Sequence, residues 1–224
     1  MAALTLVIAN KNYSSWSMRP WVLMKQLGIP FEEKMLRFHS SQWNAEIERW
    51  SPSRLVPVLW NGDHAVWDTL AIAEALHELF PDRGVWPRDA AARAFARSAS
   101  AEMHSGYRDL RGAMPMNIRS SHPGKGMNPA VQANIDRIEA LWKEARTRFA
   151  SGGPFLFGAF CAADAMFAPV TTRFRTYGVK LSAESQRYCD AVLAAPGVRA
   201  WVDDAMKEKE FVADDEPYTT AQTP

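Results

Sequence analysis

Cysteine is scarce in this chain: the 224 residues hold only Cys161 and Cys189, with no Cys-x-x-Cys pair. That excludes a dithiol redox centre and a disulfide framework, and it predicts a reducing, cytoplasmic setting. An excess of either charge is also missing. Twenty-six basic and 25 acidic residues leave a formal charge of +1, without a long single-sign block. Nucleic acid and membrane surfaces are therefore not expected partners. Long hydrophobic runs are absent as well. The most apolar stretch, Pro154 to Val170, is interrupted by Gly158 and Asp164, so it does not read as a membrane span. Leu4 to Ala9 is too short for the apolar region of a signal peptide, and no basic segment precedes it. There is no glycine-rich phosphate loop and no Gly-x-Ser-x-Gly elbow. The five histidines (His39, His64, His77, His104 and His122) show no metal-ligand spacing, so no metal is expected.

What is present is ordinary globular composition, 47% hydrophobic and 23% charged, in a chain long enough for one large domain or two small ones. The nine Trp, 11 Phe and 10 Met read first as core, with several available to line an apolar pocket. Leu4–Ala9 is a near-continuous apolar run that suits a strand buried on both faces. A helical pattern follows from Met18 to Leu27, with Ser17 as its cap, Pro20 in its first turn, and Gly28 and Pro30 as stops. Phe31 to Phe38 reads as a second strand with Phe31, Met35 and Phe38 toward the core, and Ser41 to Trp50 as irregular or a short helix. Val56–Trp60 and His64–Trp67 form a hairpin around Asn61-Gly62. A helix then starts at Asp68 or Thr69 and ends before Pro81. Beyond residue 88 strand signals vanish, and helical periods cover roughly 89–114, 128–150, 162–177, 182–194 and 197–208. The segment from Asp214 reads as a loose tail. The prediction is an α/β unit over 1–81 and an all-helical one over 88–224.

Three pieces of the first unit carry chemistry. Ser14, Ser15 and Ser17 sit at a helix start, where a hydroxyl and the helix dipole can stabilise a bound thiolate; ordinary capping accounts for at least one of them. The Val56-Pro57 step opens a strand. If its bond is cis, the Val56 backbone faces outward and can pair with an extended peptide; the base rate favours trans. Asp68-Thr69 stands at another helix N-terminus, able to bind an anionic group or an ammonium, or simply to cap.

In order and spacing these pieces resemble a cytosolic glutathione transferase, and the likeness extends into the helical half. Ser14-Ser15-Trp16-Ser17-Met18-Arg19 is most similar to the Ser-Ser-Cys-Ser-Trp-Arg signature of the zeta class, which includes maleylacetoacetate isomerases. The resemblance implies a thioredoxin-like domain followed by a helical-bundle domain, and glutathione as co-substrate. It implies a cis bond before Pro57, Val56 pairing with the glutathione backbone, and Asp68 and Thr69 holding the γ-glutamyl end. Ser14 would activate the thiol, with Ser15 the close alternative, and Arg54 and Gln42 would contact the glycyl carboxylate. Trp16, His104, Tyr107 and Arg111 would wall a pocket for a small hydrophobic electrophile, and the chain would be a homodimer. The implied reaction is conjugation, with glutathione-dependent isomerisation or non-catalytic binding as alternatives. Three departures stand out: Trp16 replaces the zeta cysteine, Asp68-Thr69 replaces an acidic-plus-serine pair, and Cys161 replaces the hydroxyl of a Ser/Thr-x-x-Asp capping box ending at Asp164.

Overall fold

The computed structural model describes residues 3–219. β1 (Leu4–Ile8) leads through Asn10–Ser14 into α1 (Ser15–Gln26), and β2 (Glu32–Met35) and α2 (Ser41–Trp50) follow. β3 (Val58–Asn61) and β4 (His64–Trp67) make the hairpin, and α3 (Thr69–Leu79) closes the α/β part. The sheet order is β2-β1-β3-β4. β1 and β2 run parallel, whereas β3 is antiparallel to both β1 and β4. This is the thioredoxin-like arrangement, and it puts β1 at the centre of the sheet, consistent with its apolar run.

Several expected boundaries move for local reasons. α1 begins at Ser15 rather than Met18, because Ser14 is the cap: its side chain accepts from the Ser17 N–H. The Ser17 hydroxyl instead accepts from the Ala9 N–H at 3.2 Å, tying the helix to the end of β1. β2 is shorter than predicted. After Leu36, whose N–H reaches the Ile8 carbonyl, the chain turns away and the Phe38 N–H is taken by Asn10 Oδ1. Phe31 and Met35 pack against the main core as expected, but it is Leu36 that is fully buried, in a small cluster with Val7, Ile47 and Val58 under α2. β3 starts at Val58, not Val56, because Pro57 has no N–H for the ladder.

From Ala90 onward, among the described residues, the regular elements are helices apart from short 3₁₀ turns and isolated bridges: α4 (Ala90–Ser105), α5 (Arg108–Ala113), α6 (Pro129–Phe149), α7 (Ala162–Tyr177), α8 (Ala183–Ala194) and α9 (Pro196–Ala205). The single helix read over 89–114 is two. It breaks at Gly106 and Tyr107, the latter in the left-handed region with φ 54°. A Cβ on Gly106 would lie 2.7 Å from the Glu102 carbonyl, so the sharp exit from α4 requires glycine. α7 is the axis of the molecule. Every residue from Ala162 to Phe174 is buried, Asp164, Thr171, Thr172 and Arg173 included, and the helix is surrounded by its neighbours, packing on α1, α4 and α8.

The segment read as a loose tail is packed. After α9 the chain crosses back over the β1–α1 junction. Glu208 accepts from the Lys11 and Asn12 N–H groups at 2.7 and 3.0 Å, and Tyr13 donates to Glu216 at 2.6 Å. Arg119 donates to Tyr13 Oη and to the Glu210 carbonyl. Tyr218 reaches the Ala113 carbonyl at 2.8 Å. Only the last part of that segment lies outside the described residues.

Candidate functional site

A cleft of about 910 Å³ opens between the start of α1 and the helices α5 and α7. A second cavity of about 580 Å³ adjoins it over the Val56-Pro57 step and the start of α3. Trp16, Leu55, Val56 and His104 border both, so the two form one continuous depression.

The peptide bond between Val56 and Pro57 is cis. Val56 lies ahead of β3 and outside its ladder, and it lines both parts of the depression. Asp68 follows β4 with φ 73° and caps α3, its Oδ1 accepting from the Leu70 N–H at 2.9 Å. Its other oxygen lies 2.7 Å from His104 Nε2, which links the strand–helix junction to α4. Thr69 is buried, and its hydroxyl donates to the Trp16 carbonyl at 3.3 Å. That carbonyl is free because Pro20, one turn later in α1, has no N–H to return to it. A proline inside α1 thus makes the bond that ties the starts of α1 and α3 together.

The serines differ. The Ser14 hydroxyl donates to Ser17 Oγ at 2.7 Å, so its proton is directed into the protein. Ser15 Oγ accepts from Arg173 at 3.2 Å, which leaves its own proton free to point elsewhere. Arg173 comes from α7 and is held by the Met114 carbonyl at 2.8 Å. Burial and the nearby Arg111 pull its pKa down to about 10. The guanidinium of Arg19 lies 4.1 Å, and that of Arg111 4.8 Å, from the centre of the Trp16 ring, and the His104 ring meets Trp16 edge-on at 5.0 Å. Arg19 is fully buried, and burial, Arg173 and Arg111 hold its pKa well below the usual value. This is a water-poor, cationic corner beside two serine hydroxyls and two helix N-termini, suited to holding an anion such as a thiolate.

The family models described as the glutathione S-transferase N-terminal and C-terminal domains match residues 13–79 and 128–204. The chain belongs to the glutathione S-transferase family. Among curated proteins it is 25% identical over 142 residues to a probable maleylacetoacetate isomerase of Caenorhabditis elegans, covering 62% of this chain and 65% of that protein. It is also 25% identical to glutathione S-transferase 1 of Dianthus caryophyllus, covering 70% and 74%. Thus the chain spans just under two thirds of the isomerase. A glutathione transferase homolog from Burkholderia, solved with bound glutathione, superposes with a TM-score of 0.69 at 23% identity over 92% of this chain and all of that one. The human transferase T1-1 superposes at 0.65 with 19% identity, covering 96% and 94%. These structures establish the glutathione S-transferase fold.

Within this glutathione S-transferase fold, the cleft collects Ser14, Ser15, Trp16, Val56, His104 and Arg111, with Pro57, Asp68 and Thr69 on its second lobe. Three expected residues are elsewhere. Tyr107 does not wall the pocket; its left-handed backbone turns the ring into the core, where its hydroxyl donates to Glu102 at 2.6 Å. Arg54 is exposed beside Glu48, and Gln42 is half-buried near the start of α2. Neither borders the cleft; Phe38 and Trp43 do. Arg108, Arg173 and Asp215 also border it and carry no sequence signal that could have found them. Arg173 sits in a helix readable only as core, and Asp215 in the segment read as loose. Among the described residues no group of three or more His, Cys, Asp or Glu side chains could hold a metal, and no helix is long and apolar enough to cross a membrane.

Proposed function

We propose that this chain is a glutathione transferase that activates the glutathione thiol with the Ser14–Ser15 pair and transfers the thiolate to an electrophilic carbon. The observation that carries the reading is the continuity of the depression from Ser14 and Ser15 past Val56 to Asp68 and Thr69. Glutathione laid along it would pair its cysteinyl backbone with Val56 and offer its γ-glutamyl end to the α3 N-terminus. Its sulfur would then meet the serines. Ser15 is the better donor. Arg173 occupies its acceptor side and polarises the O–H, whereas the Ser14 proton is engaged by Ser17. Lowering a thiol by about 2.5 pH units corresponds to ~3.4 kcal/mol of preferential thiolate binding. A hydrogen bond to a charged group contributes about 1.5–3 kcal/mol and a helix N-terminus about 0.3–1, so together they reach that size.

A second reading is glutathione-dependent cis–trans isomerisation. It is supported by the similarity to the nematode isomerase and by the Ser14-Ser15-x-Ser17 pattern, while the bulk of Trp16 in place of cysteine reshapes the pocket against it. A homodimer follows from the family resemblance, and light scattering after gel filtration would read it.

The test is a pair of alanine substitutions assayed for conjugation and, by calorimetry, for glutathione binding. Ser15→Ala should lower turnover by about ten- to a thousandfold with glutathione affinity nearly unchanged. The same loss in Ser14→Ala alone would move the role one residue back. Tight glutathione binding without turnover of any electrophile in a broad panel would reduce the protein to a binding scaffold.

A further inference from the structure

The wall facing the serines is charged. Arg108 and Arg111 project from α5 and Arg173 from α7 into the same cleft, whose one acidic lining residue is Asp215. Behind Trp16 lies Arg19, with both terminal guanidinium nitrogens buried and unpartnered. Arg108 has no ion-pair or hydrogen-bond partner among the described residues, and Arg111 spends its hydrogen bonds on the carbonyls of His104 and Gly106. Arg173 likewise bonds carbonyls and Ser15, not a carboxylate. The cations perturb one another. Burial first, then Arg108, lowers the pKa of Arg111, and Arg111 in turn lowers that of Arg173. Asp215 answers only part of this. Burial, Asp214 and Glu216 hold its own pKa up to about 6, against the pull of Arg173.

An assembly of like charges around a cleft is stabilised by an anion that it is built to receive. Resting on the transferase reading above, we infer that the electrophile is a carboxylate-bearing compound, seated in the cleft beside Trp16 with its carboxylate held by Arg111 and Arg108. This narrows the small hydrophobic electrophile that the family resemblance implies. On the transferase reading, the γ-glutamyl carboxylate of glutathione does not account for the arginines. The γ-glutamyl seat is at Asp68 and Thr69 in the second lobe, and Arg108 and Arg111 stand across the cleft on the helical side.

The probes are 4-chloro-3-nitrobenzoate and its neutral counterpart 4-chloro-3-nitrobenzamide. In each the glutathione sulfur pair forms a bond to the carbon bearing chlorine, and chloride departs with the carbon–chlorine pair, the thiol proton having gone to solvent. Rates are normalised to the uncatalysed reactions. In parallel, calorimetry measures affinity for the two finished glutathione conjugates and for glutathione itself, which needs no turnover. The carboxylate conjugate should bind about tenfold or more tightly than the amide, as a charge-assisted hydrogen bond gives. That preference should shrink several-fold in Arg111→Gln, less in the exposed Arg108→Gln, and also in high salt. Equal affinity for the two conjugates overturns the inference. So does an Arg111→Gln variant that weakens glutathione alone by the same factor, since the arginine would then hold glutathione's own carboxylate. A preserved carboxylate preference without turnover of either probe would sink the transferase reading and leave the anion seat standing. Failure of glutathione and both conjugates to bind would sink both.

Discussion

Near the start of α7, Asp164 is fully buried, and every hydrogen bond it needs is supplied. It accepts from the Leu156 N–H at 3.0 Å, the Cys161 N–H at 2.9 Å and the Tyr188 hydroxyl at 3.1 Å. About two and a half turns further along the same helix, Arg173 is just as buried but faces a cavity, repelled by Arg111 and sharing the corner with Arg19, whose terminal nitrogens are unpartnered. One buried charge is enclosed by donors; the other is left with capacity to spare. The first arrangement ties a helix start into the fold, and the second leaves cationic donors facing a cavity.

Substitutions at the two places separate these roles. Asp164→Ala strands two buried N–H groups and a tyrosine hydroxyl, and should lower unfolding free energy by about 3–5 kcal/mol in urea titrations, with activity per folded molecule unchanged. The gap should depend on pH with a definite sign. Burial raises the Asp164 pKa to about 6, above the ~3.9 of an unfolded aspartate. The folded state therefore keeps this proton longer, and ionisation between those values costs the native protein stability. The wild-type advantage over the alanine variant should be widest below pH ~4 and narrower above ~6. An advantage that widened with pH would mean that Asp164 is stabilised as a carboxylate.

Arg173→Met should behave the opposite way. It replaces a desolvated cation by an apolar chain of similar length, so stability should change by no more than about 1.5 kcal/mol. Turnover of chlorodinitrobenzene with glutathione should fall about ten- to a hundredfold as Ser15 loses its polarising partner. A variant that loses several kcal/mol of stability but keeps its turnover per folded molecule would erase the distinction between the two ends of α7.

The smallest effect belongs to Cys161. Its sulfur stands where a capping hydroxyl would accept from the Asp164 N–H, completing the box that the Asp164 carboxylate begins. Sulfur is the weaker acceptor, so Cys161→Ser should gain about 0.5 kcal/mol in the same titrations.

Much of this was legible in the order of residues. Strand and helix periods locate β1, α1, the hairpin, α3 and the long helices. The serine cluster, Val56-Pro57 and Asp68-Thr69 do meet around one depression. What failed to read has local physical reasons. Gly106 and Tyr107 break a helix whose apolar period continues across them, because the break depends on a left-handed tyrosine that only its hydrogen bond to Glu102 and its burial make tolerable. Asp214 to Tyr218 looks polar enough for a free tail, yet Tyr13 donates to Glu216 and the Ala113 carbonyl accepts from Tyr218, both from distant parts of the chain. Arg54 and Gln42 were reasonable by position but do not border the cleft.

The sequence by itself determined the two kinds of secondary structure, their order, and the hydroxyls and backbone groups along the first half of the cleft. Those depend on neighbours a few residues apart, through periodicity, capping and proline geometry. Only the tertiary structure decided which serine proton is free, and that arginines from α5 and α7 face it. That choice hangs on contacts such as Arg173 with Ser15, between residues 158 positions apart, which no local pattern encodes.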